Sequence, residues 1–331
     1  MQNKKLYFKK FVNGKKGFFF TVVAVYLVAL LIFSASFYKR YELRKEAMAV
    51  NTRIRAMNDF INDVDKDLER GLYISGFRTF LGLEEYISSR GVYLNDTESA
   101  FVTAFFNKSI GNYSISLLAD SAFSDWASRI NSHAADINIQ INFTISNLTI
   151  SQSSPWAVDL SVNVSMHVYD VNGLASWDRD KTISTSINII DFEDPVYTVN
   201  SYGRIANPIV RATDLNFVTG YDTTVLLRHL NNSYYVASPI APSFLMRLEG
   251  NLSPSPAGIE SLVDVSKFIA EGFSDRQKSV VDYIYFSSRS TSNLCVDNSK
   301  AEPNMPSWFR LDIDDNHASY YEILGLNATC S

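Results

Sequence analysis

The 331-residue sequence is poor in the residues that carry chemistry. It holds four histidines, His133, His167, His229 and His317, in four separate segments with no ligand-spaced partners. It holds two cysteines, Cys295 and Cys330, so no CxxC pair or Cys/His zinc spacing can be built. No HExxH, GxSxG or glycine-rich phosphate loop occurs. The densest group of oxygen ligands, Asp312, Asp314, Asp315 and Asn316, fails as an EF-hand: a loop opening at Asp312 needs Gly where His317 stands and Glu where Ile323 stands. Capping of a following helix by Asp315 or Asn316 is the simpler reading. No metal, no cofactor and no catalytic residue are expected, and the chain reads as non-enzymatic.

Acidic residues are missing from residues 1–17, which hold Lys4, Lys5, Lys9, Lys10, Lys15 and Lys16. The net charge of -5 therefore conceals a basic leader and an acidic remainder. Beside an apolar segment such lysines are a topology signal that keeps this end cytoplasmic, and nucleic acid is not an expected partner. Only one long apolar run exists, Phe18 to Tyr38, without a charge. Its 21 residues make about 30 Å of helix, the thickness of a bilayer core. Membrane lipid is thus a partner, and everything after residue 38 is placed outside.

The helical pattern runs on into water without Pro. Leu43, Ala47, Val50, Ile54, Met57, Ile61, Val64 and Leu68 recur at steps of four and three, with charges between them. That is a narrow seam for a partner helix or for a domain packed along it, with Val50, Ile54, Met57, Ile61, Val64 and Leu68 as its contact positions. Gly71, Gly76 and Gly82 predict a looser, bent continuation or a second helix up to Gly91.

Lys15-Lys16-Gly17-Phe18, a basic leader and a Gly before an apolar helix that becomes amphipathic, resembles the type IV prepilin pattern over about the first 70 residues. The resemblance implies cleavage after Gly17, a mature terminus at Phe18, and packing against other pilin-like helices or assembly-platform proteins. The Glu usual at the fifth mature position is replaced by Val22. Minor and tip subunits tend to lack it, so such a subunit is implied rather than a major one. Two other readings of the segment stay open: an ordinary single-pass anchor, and a signal cleaved after Ser34-Ala35-Ser36.

Beyond the helix, Asn95-Asp96-Thr97-Glu98 opens a short helix carrying Phe101 and Phe105, and another runs from Asp120 to Ala135 with His133 on or near its apolar stripe. The period then changes to two: Ile137 to Ser146, Trp156 to Tyr169, and roughly Asp178 to Ile190, with Asn172-Gly173 as a hairpin turn. These are antiparallel strands with one buried face, followed by a short edge strand at Val196 to Val199. Further on, helices are expected at Val263 to Glu271 and Asn316 to Leu324, and strands at Val280 to Phe286 and Trp308 to Asp312. Between them Cys295 to Pro306 reads as an irregular loop. The expected fold is α+β: a transmembrane helix continued as an amphipathic one, packed on an antiparallel sheet, with a small α+β C-terminal portion. The segments are 1–17, 18–38, 39–91, 92–200 and 201–331.

Asn-x-Ser/Thr sequons occur at Asn95, Asn107, Asn112, Asn142, Asn147, Asn163, Asn231, Asn251 and Asn327, and none precedes Asn95. They suit a glycan-bearing ectodomain, and with the prepilin-like start they point to an archaeal surface. Asn142 and Asn163 fall on the wet strand faces. The outward topology also places Cys295 and Cys330 where thiols oxidise, so one disulfide is expected. The resemblance agrees, since bacterial pilins carry a C-terminal disulfide. Two function classes follow: a filament subunit, or a receptor or adhesin ectodomain on a single-pass anchor.

Overall fold

The computed structural model describes residues 15–288, 294–312 and 316–330. It is α+β and is organised on one helix, α1 (Lys15–Arg90), 76 residues without interruption. At 1.5 Å per residue this is about 115 Å of rod. It stops at Gly91, whose φ of +65° suits glycine and whose N–H donates to Ile87 O at 2.8 Å. There follow α2 (Thr97–Asn107), the two-residue strands β1 (Ser109–Ile110) and β2 (Tyr113–Ser114), and α3 (Phe123–Asp136). The long strands are β3 (Ile139–Ser154), β4 (Ala157–Asp170) and β5 (Ser176–Asn188). The C-terminal portion holds α4 (Pro195–Asn200), α5 (Thr224–Asn232), β6 (Tyr235–Ala237), α6 (Phe244–Leu248), β7 (Ile259–Ser261), α7 (Val265–Ala270), α8 (Asp282–Tyr285), β8 (Leu294–Val296), α9 (His317–Tyr320) and β9 (Asn327–Thr329).

Over Glu69–Arg90 the helix continues without a break, so no second helix begins there. The glycines are there for close approach. A Cβ on Gly76 would stand 2.2 Å from Leu160 Cδ1 and 2.9 Å from Ile187 Cδ1, one on Gly82 2.6 Å from Ile115 Cγ2, and one on Gly71 3.1 Å from Trp126 Nε1. The sheet and the α3 layer lie almost on the helix backbone at these points, and that packing outweighs the helix-propensity cost of about 1 kcal/mol per glycine.

β3, β4 and β5 form an antiparallel sheet in that order, with Ile141 opposite Val168 and Val162 opposite Ile183. On the central strand Val158, Leu160, Val162, Val164, Met166 and Val168 are buried toward α1, and the alternate residues face outward. β3 begins two residues later than its alternation suggests. Asn138 takes φ +55° to leave α3, which puts Ile137 on the surface. His133, expected near the apolar stripe of α3, is exposed as well, 4.0 Å from Asp136.

Other short elements differ from expectation. Residues 196–199 form helix α4, because Asp194 accepts the Val196 N–H at 2.9 Å and Pro195 occupies the first helical position. Val281 makes a single bridge to Leu262, after which Asp282 to Tyr285 winds into α8, so no strand spans 280–286. From Trp308 to Asp312 only Leu311 pairs, with Leu294. Cys295 belongs to β8 and not to a loop. The helix expected from Asn316 ends at Tyr320, shortly before Glu322 takes φ +59°. Asp314 and Asp315 lie outside the described residues.

Two hydrophobic cores result. The first gathers Met57, Ile61, Val64, Leu68, Leu72, Phe80, Leu83 and Ile87 of α1 with the sheet, α2 and α3. The second is built from Val196 and Tyr197 onward. Tyr235, Phe244, Leu248 and Ile259 reach back into the first core, where Phe244 packs on Phe192 with ring centroids 5.7 Å apart.

Candidate functional site

The first half of α1 touches little else among the described residues. Phe18, Leu31, Phe33 and Tyr38 are each more than 60% exposed. Mean hydropathy reaches 2.6 in its most apolar window, which is long and apolar enough to cross a membrane. The Gly17–Phe18 junction lies in the first turn of this helix, and residues 1–14 of the basic leader lie outside the described residues.

Along the seam, Met57, Ile61, Val64 and Leu68 are buried. Val50 is half-buried and Ile54 is exposed, because the sheet and α3 end at about their level. Its lower edge is Arg53. Arg53 Nε donates to Asp170 Oδ1 at 2.8 Å, and its Nη2 donates to Ile137 O at 2.6 Å and Asn138 O at 2.9 Å. Burial pushes the Asp170 carboxyl up. Arg53 and the Leu174 and Asn172 amides more than reverse this and hold it below the usual range. The charges between the seam positions are also used: Trp126 Nε1 donates to Asp67 at 2.8 Å, Arg179 pairs with Asp65 at 2.6 Å, and Lys181 with Glu69 at 3.4 Å. Periodicity shows only that such residues lie off the seam, so these partners were not legible in the sequence.

Of the nine sequon asparagines, Asn95, Asn107, Asn112, Asn142, Asn147, Asn231, Asn251 and Asn327 are exposed. Asn163, on the outer face of the central strand, is half-buried and its Oδ1 accepts from the Thr182 hydroxyl at 2.8 Å. Cys295 and Cys330 form a disulfide with Cα atoms 5.1 Å apart, joining β8 to the residue after β9.

The strongest electrostatics are buried in the C-terminal portion. Arg247 of α6 has no exposed surface. It donates to Asp194 at 2.6 Å, to Asp282 at 3.0 Å and to Ile259 O. Asp282 also accepts from the Ser261 N–H at 3.0 Å and its hydroxyl at 2.8 Å, and Asp194 from Tyr235 at 2.7 Å. Burial lifts the Asp282 carboxyl to about 6, against the pull of Arg247. Burial disfavours the Arg247 charge, but its two carboxylates outweigh this and raise its pKa. A second buried group joins Glu260 to His317 at 3.2 Å and to Tyr321 at 3.0 Å. Burial also lifts the Glu260 carboxyl, but the His317 hydrogen bond and charge lead the contacts that bring it below its usual value. These groups tie α4, α6, β7 and α8 together, which is a structural task. Sequence reading missed them because a lone Arg, Asp or Glu carries no periodic signature. Among the described residues no cluster of three or more His, Cys, Asp or Glu is arranged to hold a metal ion.

His229 is different. Its ring packs edge-on to Phe217 at 5.2 Å, and neither nitrogen has a hydrogen-bond partner among the described residues. Burial pushes it down to about 4.

An open groove of about 520 Å³ lies where α1 ends, lined by Tyr86, Tyr93, Asn95, Asp96, Ser99 and Ile110 among others. Tyr86 packs edge-on to Tyr113 at 5.4 Å, and the Tyr113 hydroxyl donates to Glu85 at 3.0 Å. The Tyr93 ring lies on Gly250, where a Cβ would come within 2.6 Å, and its hydroxyl accepts from Asn200 at 2.9 Å. Burial raises the Tyr93 hydroxyl to about 12, so it stays protonated.

Comparison with protein-family models, curated proteins and solved structures gives no match for this chain.

Proposed function

We propose that the chain is a non-enzymatic, pilin-like surface protein, a minor or tip subunit of a type IV pilus-like filament. The observation that carries this reading is the division of a single helix. Its first half has its apolar side chains exposed, and its second half, without a break, is the spine of the ectodomain core. A helix so divided suits storage in a membrane and transfer into a bundle of like helices, since both environments cover an apolar surface that water does not. Cleavage between Gly17 and Phe18 removes the leader lysines that hold the N-terminus in the cytoplasm. The sheet, the sequons and the disulfide then stand outside, where the cystine persists.

A second reading is a single-pass receptor or adhesin that keeps its leader. The groove at the far end of α1 favours it, since a ligand site there needs no filament. N-terminal sequencing of protein recovered from membranes separates the two. A terminus at Phe18 is expected, an intact Met1 or Gln2 terminus rejects the filament reading, and a terminus at Phe37 rejects both.

A further inference from the structure

We propose that the groove between the end of α1, the 91–96 turn and α2 seats an uncharged saccharide. It lies about 80 Å along the helix axis from Tyr38, and its volume of about 520 Å³ accommodates one or two sugar rings. Tyr86 and Tyr93 supply aromatic surface in its lining, and both are fixed by the contacts described above. Such a surface receives the C–H face of a sugar without having to be ordered on binding. Short polar groups complete the lining. Asp96 Oδ1 caps α2 by accepting the Ser99 N–H at 3.0 Å, which leaves Oδ2 as an acceptor, and Ser99 lines the same space. No Lys, Arg or His is among the described lining residues, so an anion gains nothing there.

The sugar has two possible sources, and the wall itself names one. Asn95-Asp96-Thr97 is a sequon, Asn95 is exposed, and a glycan linked to it starts inside the groove. Thr97 is buried, with its hydroxyl donating to Leu245 O at 3.3 Å and its N–H to Glu249 at 2.8 Å, so a glycan at Asn95 is attached before α2 docks on α6. The other source is a glycan presented by another surface. The inference uses the extracellular placement proposed above, but it does not depend on which of the two readings there is correct.

The test uses the full-length chain in detergent micelles, as wild type and Asn95→Gln. Saturation-transfer NMR with N-acetylglucosamine, lactose and maltose reports binding, and glycopeptide mass spectrometry reports what Asn95 carries. Transfer to at least one sugar is expected, weakened tenfold or more by Tyr86→Ala and retained by Tyr86→Phe. If Tyr86→Ala does not fold, Ser99→Phe, at an exposed position of the wall, fills the groove and abolishes the transfer. Binding only by Asn95→Gln, with a glycan on wild-type Asn95, identifies the chain's own glycan as the occupant; binding by a wild type with bare Asn95 identifies an external one. No transfer to Asn95→Gln, or transfer that Ser99→Phe leaves unchanged, overturns the proposal. Neither result changes the terminus found by sequencing, so the two readings fail separately.

Discussion

The two halves of α1 are the same helix under different solvents. From Phe18 to Asn51 nearly every side chain is exposed, apolar or not, whereas from Met57 every third or fourth residue is sealed by sheet or helix. From Phe18 to Tyr38 the helix is apolar all round, so no orientation hides that surface, and it needs a surrounding phase. The second half is apolar on one stripe, so one domain suffices. Arg53, clasping Asp170 and the carbonyls that end α3, marks the border. The difference shows that a continuous hydrogen-bonded rod can carry two unrelated hydrophobic requirements, because the backbone ladder is indifferent to what covers the side chains.

The sharpest way to break the comparison is to place the same charge on each half. Ile61→Asp buries an unpaired carboxylate among core residues and should destabilise the folded portion by about 4 kcal/mol or more, read by chemical denaturation. Leu31→Asp should leave the stability of the folded portion within about 0.5 kcal/mol and, on the membrane reading, instead cost about 3 kcal/mol of insertion. Asp63→Lys, on the exposed side of the covered half, should be nearly neutral. Equal losses from Ile61→Asp and Asp63→Lys would mean the seam is not packed as described.

A pH titration asks whether the covered half melts with the C-terminal core. His229 is held neutral down to about 4 when folded, against an ordinary 6.5. The unfolded chain therefore takes up this proton first, and stability, complete above pH 6.5, should fall by about 3 kcal/mol as pH drops toward 4. His229→Phe should flatten that slope. If the helix signal of residues 57–90 follows the same slope, the two cores unfold as one unit. A helix signal that ignores it means that they do not.

At the border, Arg53→Ala strands the buried Asp170 carboxylate and frees two carbonyls. The expected loss is about 2 kcal/mol, with protection from hydrogen exchange lost first at the Asn172–Gly173 hairpin. Unchanged exchange at that hairpin would remove the clasp from the account. A smaller effect than this is expected from Gly76→Ala. Its Cβ collides with Leu160 and Ile187, whose side chains can shift partly, and the gain of about 1 kcal/mol in helix propensity offsets part of the crowding. A net loss of about 1 kcal/mol in Tm-derived stability is expected, and a gain would show that the close approach has slack.

Much of this was legible in the residues. Strict periodicity determined α1 as far as Leu68 and the buried face of β4, because elements of ten or more residues repeat their signal often enough to outvote exceptions. Asp96 and Gly91 marked their boundaries through cap chemistry that is local. Two cysteines with no metal-spaced partner in the sequence were enough to suggest the pair that forms.

What the sequence could not decide has a common physical cause: the deciding partner is remote. Gly71, Gly76 and Gly82 read as weak points until Trp126, Leu160, Ile187 and Ile115 are seen against them. The Val280–Phe286 run has strand composition, yet Asp282 meets Arg247 from 35 residues away and the chain winds a helical turn instead. Arg247 itself looks like a surface residue and is fully buried, as are its partners Asp194 and Asp282. Local composition determined which stretches bury and with what period. Tertiary packing alone determined what the short elements became, which charges pair, and where the groove lies, because in each case the free energy resides in contacts between segments that the chain order keeps apart.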